Sequence, residues 1–120
     1  MIERRRDLRI DSSLPMTLKG GLFEFVTETR NISASGAYCQ VAQLIPPMMK
    51  LTVSLLIPTR EDGKAIIHEI RCEGVVVRSE RFSRENGTPE RFFIAIYFTR
   101  LTGRDQERLK QWIENERSSR

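Results

Sequence analysis

Leu51-Thr52-Val53-Ser54-Leu55-Leu56-Ile57 puts Leu51, Val53, Leu55 and Ile57 on one side and Thr52, Ser54 and Leu56 on the other. A period of two is that of a strand with one buried face. Pro58 stops the run, and Glu61-Asp62-Gly63 supplies a turn. Beyond it, Ile66 to Arg78 reads as a long strand with Ile66, Ile70, Cys72 and Val76 on one face and a bulge marked by Gly74. Asn86-Gly87 signals a hairpin. Phe92 to Phe98 is apolar on both faces and reads as a central strand. Towards the N-terminus, Pro15 starts a strand through about Gly20, and Gly20-Gly21 turns into a β-rich run from Phe23 to Ile32. After a bend ending at Gly36, Ala37 to Ala42 forms the next strand, and Pro46-Pro47 breaks the chain.

The period changes after Thr102. Thr102 is placed to cap a helix with Asp105 three residues on, and Leu109, Trp112 and Ile113 share one helical face. The expected fold is all-β with a C-terminal helix. Six antiparallel strands close into a barrel, and the helix, over about 103–117, covers it through Trp112 and Ile113. Residues 1–14 carry charge without periodicity and read as a flexible arm. Residues 15–120 form the barrel domain.

Twenty Lys and Arg against sixteen Asp and Glu give a net charge of +4, which favours anionic partners without demanding nucleic acid. Arginine carries most of this charge, and its planar fork of donors suits phosphates and base edges as lysine does not. Apolar stretches are too short to cross a bilayer, and no apolar segment follows the basic start. No membrane insertion or secretory signal is expected, and the expected location is the cytoplasm. Cys39 and Cys72 fall in strands without metal or redox spacing and read as reduced, buried thiols. His68, the one histidine, reads as a partly buried residue at the barrel rim. With a single histidine, no catalytic triad or metal cluster is expected, and no phosphate-cradling Gly-rich loop is present. The expected protein is not an enzyme and needs no cofactor.

Two short signatures remain. Arg4-Arg5-Arg6-Asp7-Leu8-Arg9 supplies four guanidinium groups, and Asn31-Ile32-Ser33-Ala34-Ser35-Gly36 supplies short polar side chains and a glycine at a bend between strands. Together they suit a planar ligand carrying several negative charges. Asn31 and Ser33, two apart, share a strand face. Gly36 can take a positive φ and lets backbone approach closely. Arg5 and Arg9 in an extended segment stand about 13 Å apart, so they can reach different groups of one ligand.

The order and separation R-R-x-x-x-R, then a strand, then N-x-S-x-x-G closely resemble the PilZ domain, a bacterial receptor for cyclic di-GMP (c-di-GMP). Arg5 and Arg9 match its RxxxR element, and Asn31, Ser33 and Gly36 match its [D/N]xSxxG element. The resemblance covers nearly the whole chain and implies a six-stranded barrel with a C-terminal helix. It implies c-di-GMP binding by Arg4, Arg5, Arg9, Asn31, Ser33 and Gly36. Arg4, directly before the RxxxR element, implies a stacked pair of ligands per protomer. Binding is expected to order residues 1–12 and so signal to a downstream partner protein. In one place the chain departs from the family. Where many members carry a late-strand G-x-x-F, this chain has Ile94-Ala95-Ile96-Tyr97-Phe98, and Ala95 is expected to crowd an approach that glycine allows.

Two other functions fit the composition. One is an adaptor of the same fold that contacts proteins and binds no nucleotide. The other is a small barrel for single-stranded nucleic acid, which needs exposed aromatics on a basic groove. Phe23, Phe25, Phe92 and Phe98 take core-like positions, leaving Phe82 and Tyr38 as its candidates.

Overall fold

The alternating runs become strands in the computed structural model, which describes residues 8–82 and 90–119. Among these residues the elements are β1 (Ile10–Asp11), β2 (Pro15–Gly20), β3 (Phe23–Ser33), β4 (Gly36–Val41), β5 (Lys50–Glu61), β6 (Lys64–Phe82), β7 (Arg91–Arg100) and α1 (Gly103–Ser118). The antiparallel pairs run β2–β3–β4–β7–β6–β5, and β5 pairs back with β2. The six expected strands thus close a hydrogen-bonded ring, to which β1 is added along β3. Between β5 and β6, Asp62 (φ 54°) and Gly63 (φ 76°) both sit at positive φ, as a two-residue hairpin turn matched to strand twist requires. The Asn86-Gly87 signal lies outside the described residues.

Inward residues from every ring strand form one core. Leu18, Ile32, Cys39, Val53, Ile57, Val76 and Ile94 are fully buried in it, each contributing about 1.5–3 kcal/mol by leaving water. Helix α1 packs against β3 and β5 through the expected face of Leu109, Trp112 and Ile113, all buried. The expected cap forms too, with Thr102 Oγ1 accepting from the Asp105 N–H at 3.1 Å.

The region expected to be a loose arm differs from that reading in its second half. Ile10 and Asp11 form β1, pairing with Ile32 and Asn31 of β3. Ile10 and Leu14 are buried in the core, and Leu8 packs against it. Thr29, itself buried, fastens this segment. Its hydroxyl accepts from the Leu14 N–H at 2.9 Å and donates to the Ser12 carbonyl at 2.6 Å. Removing the apolar side chains of Ile10 and Leu14 from water outweighs the flanking charges that marked the stretch as solvated.

Three irregularities re-aim side chains. On β3, Thr29 faces Cys39 but Asn31 faces Tyr38, so Arg30 is an extra residue, a bulge. The inward phase moves from Thr29 to Ile32, and Arg30 and Asn31 both lie on the outer face. On the β6–β7 ladder the register shifts beside Gly74, as expected there, and again between Val76 and Arg78.

Candidate functional site

The outer face of β3, β4, β7 and β6 gathers the chemistry. Asn31 of β3 lies between Asp11 of β1 and Tyr38 of β4. Tyr38 is opposite Ala95 of β7, and Ala95 is opposite Arg78 of β6. At the β1 end of this row the Arg9 guanidinium donates to Asn31 Oδ1. The two sequence signatures, twenty-two positions apart at these residues, therefore meet side chain to side chain. Arg4 and Arg5 lie outside the described residues.

Ser33 and Gly36 hold the turn between β3 and β4. Ser33 is buried, and its Oγ accepts from the Ser35 N–H at 3.2 Å and lies 3.3 Å from Ser35 Oγ. Its hydroxyl faces the bend, an arrangement in which a short side chain replaces a backbone partner. Gly36 serves through close approach, not through a positive φ, which among the described glycines belongs to Gly21 and Gly63. A Cβ on Gly36 would stand 2.3 Å from the Ile96 carbonyl oxygen. No real Cβ sits that close to backbone, so glycine is what lets β4 lie against β7.

Aromatic rings continue the face. The rings of Tyr38 and Phe93 stack 5.5 Å apart at 10°, and Phe82 meets Phe93 edge-on at 5.4 Å. The Arg30 guanidinium lies over Phe93 at 5.5 Å and that of Arg78 over Tyr38 at 5.7 Å. The Tyr38 hydroxyl donates to Glu80 Oε1 at 3.3 Å. Burial pushes the Tyr38 phenol up from its ordinary range and the Glu80 carboxylate adds to this, while Arg78 and Arg30 pull the other way. The phenol is a proton donor at neutral pH. Phe93 escaped sequence reading because an all-apolar β7 signals burial on both faces, yet Phe93 is half-buried and Tyr97 is 51% exposed. The signal available was Arg30 on β3 and Arg78 on β6, whose guanidinium groups can cover ring faces.

Other features lie apart. A cleft of about 730 Å³ beside β1 shares Asp11 and Arg30 with this face but contains neither Asn31 nor Tyr38. A second, of about 1000 Å³, lies between α1 and the β5–β6 hairpin. There His68 Nε2 is 2.9 Å from Glu61 Oε2, a partly buried rim position as expected. Cys39 and Cys72 are free and buried. Among the described residues no group of three His, Cys, Asp or Glu could hold a metal ion. No described helix is long and apolar enough to cross a membrane.

The ring with its terminal helix is shared with solved structures. The chain is similar to the Bacillus subtilis inhibitor of motility MotI/DgrA (TM-score 0.80, 23% identity, 99% of this chain and 54% of that one). It is also similar to the PilZ domain of YcgR from Escherichia coli with c-di-GMP (TM-score 0.64, 12% identity, 98% of this chain and 95% of that one). A third is the MrkH–c-di-GMP complex of K. pneumonia (TM-score 0.69, 15% identity, 99% of this chain and 54% of that one). The chain spans about half the length of MotI/DgrA and MrkH. No curated protein sequence matches it. The model of the PilZ domain matches residues 3–115, so the chain belongs to the PilZ domain family.

Proposed function

We infer that this protein is a c-di-GMP receptor of the bacterial cytoplasm that acts by binding and performs no catalysis. The observation that carries the reading is the meeting of Arg9 with Asn31 on the outer face of the ring. A guanidinium fork and a carboxamide side by side offer donors to phosphate or to guanine O6 and N7, and an acceptor to a base amine. The solved YcgR domain and MrkH, whose fold this chain shares, carry c-di-GMP. Arg4 and Arg5 add two further guanidinium groups for the same ligand, and Arg4 favours a stacked pair of ligands. Ser33 and Gly36 shape the turn that presents Asn31.

Each charge-assisted hydrogen bond contributes about 1.5–3 kcal/mol, against about 1–2 kcal/mol for each residue that must be ordered. Ile10 to Leu14 are already fastened to β3, so this cost does not fall on them. The ordering expected over residues 1–12 therefore does not include Ile10 to Ser12. The new surface made by ligand and arginines then contacts a partner protein.

Calorimetric titration with c-di-GMP tests the reading. The wild type should bind, with a stoichiometry of one or two. Arg9→Ala, at an exposed position, should bind at least about tenfold more weakly with an unchanged melting temperature. A wild type giving neither heat nor a melting shift would refute the reading in favour of an adaptor without nucleotide.

A further inference from the structure

Beyond Asn31 the same row carries groups that neither signature contains. Ala95 lies between Tyr38 and Arg78, with its methyl group on the outer face. Over this small side chain the Arg78 guanidinium lies on the Tyr38 ring, 5.7 Å from its centroid, so the slot between phenol and guanidinium is closed until Arg78 moves. Tyr38 is backed by Phe93, so its ring is held. Arg78 is 60% exposed, and its Nε reaches Glu80 Oε2 only at 3.9 Å, a long and screened ion pair that costs little to rearrange. Neighbouring strands are about 4.8 Å apart, so the slot begins one strand from Asn31 and ends three strands away, roughly 14 Å across the face.

We propose that Tyr38 and Arg78, over the Ala95 floor, form a stacking slot for one guanine of the ligand. This rests on the receptor reading above and adds the recognition of a base face. The purine lies on the Tyr38 ring, and the Arg78 guanidinium moves outward to cover its other face. Every base offers a π-face to an aromatic ring, and an arginine plane adds a cation–π contact. Glu80 sets the geometry of both walls, accepting the Tyr38 O–H and pairing with Arg78. The alanine that stands where many family members carry a glycine is small enough to serve as the floor.

The full chain is titrated with c-di-GMP, and the guanine H8 resonances are followed by proton NMR. In the wild type, H8 moves upfield as the base enters the shielding region of the ring. Tyr38→Phe keeps the ring and should bind within about threefold of wild type. Tyr38→Leu should weaken binding by roughly 5- to 150-fold and lose the upfield shift. Ala95→Leu, on the outer face, should block binding without lowering the melting temperature, and it decides the matter if Tyr38→Leu does not fold. Wild-type affinity and an unchanged H8 shift in Tyr38→Leu or Ala95→Leu overturn the slot and leave the receptor reading intact. A wild type that does not bind overturns both.

Discussion

A methyl group at residue 36 separates two roles of the bend glycine, support of the sheet and contact with a ligand. In Gly36→Ala the new Cβ would lie 2.3 Å from the Ile96 oxygen, 3.4 Å from the Ile96 carbonyl carbon and 3.5 Å from Tyr97 Cα. All three are backbone atoms, so no side chain can rotate away. Ordinary contact begins at 3.4 Å, so β4 must retreat from β7 by about 1 Å. Overpacking of this kind costs about 1–3 kcal/mol. The retreat also strains the Gly36–Tyr97 pairing and the bond from the Phe98 N–H to the Ser35 carbonyl, now 2.9 Å. Weakening one such bond adds about 0.5–1.5 kcal/mol, for a total near 3 kcal/mol. With an unfolding entropy of about 2.1 cal/mol/K per residue, a chain of 120 residues melts about 12 °C lower. The assay is a calorimetric melt in the absence of nucleotide, so that loss of ligand contacts cannot contribute. A melting temperature within about 2 °C of wild type would show that β4 does not need the close approach, and the packing argument would fail.

Two other perturbations test the frame around the site. Thr29→Val keeps the shape but removes the two hydroxyl bonds to residues 12 and 14, leaving the backbone bonds from Ser12 N–H to Arg30 and from Thr29 N–H to Leu14. It should cost about 2–3 kcal/mol and speed exchange of the Leu14 amide, and unchanged exchange would show that Thr29 is not the fastening. Burial pushes the Cys39 thiol from 9.0 up to about 12 and the Cys72 thiol up to about 11. The folded state keeps protons that the unfolded chain releases, so this contribution is whole below about pH 9 and lost as pH rises through 11 to 12. Denaturant midpoints should therefore fall from about pH 8 to about pH 10.5, and less steeply in a Cys39→Ala, Cys72→Ala double variant. An equal fall in both proteins would refute the assignment.

The strands were legible because a single core imposes a period of two wherever a strand has one wet face. Leu51 to Ile57 shows it most clearly, and Thr102 with Leu109, Trp112 and Ile113 marks the helix as plainly. β1 was not legible. Two residues hold no period, and Ile10 is buried only because Ile32, far along the chain, lies beside it. Of the candidate site, residue types led to Arg9 and Asn31, which meet, and to Gly36, which its bend needs. The outer platform was hidden, since apolar residues on both sides of β7 mimic a doubly buried strand until Arg30 and Arg78 are placed over the rings of Phe93 and Tyr38.

The deepest gap between pattern and structure is the bulge at Arg30. Along β3 the inward positions run through Phe25, Thr27 and Thr29, and strict alternation would make Asn31 the next of them. That would bury a carboxamide in an apolar core, where an unpaired amide costs several kcal/mol, and would turn Ile32 to water. One extra residue against β4 reverses the phase, so Ile32 enters the core and Asn31 comes out beside Arg30. No local residue preference demands this. The β3–β4 turn sets Asn31 opposite Tyr38, and Thr29 pairs with Cys39 one residue out of that register. The position of the candidate site is thus decided by a register irregularity, which lets Arg9 reach Asn31 and places Tyr38 next in the row.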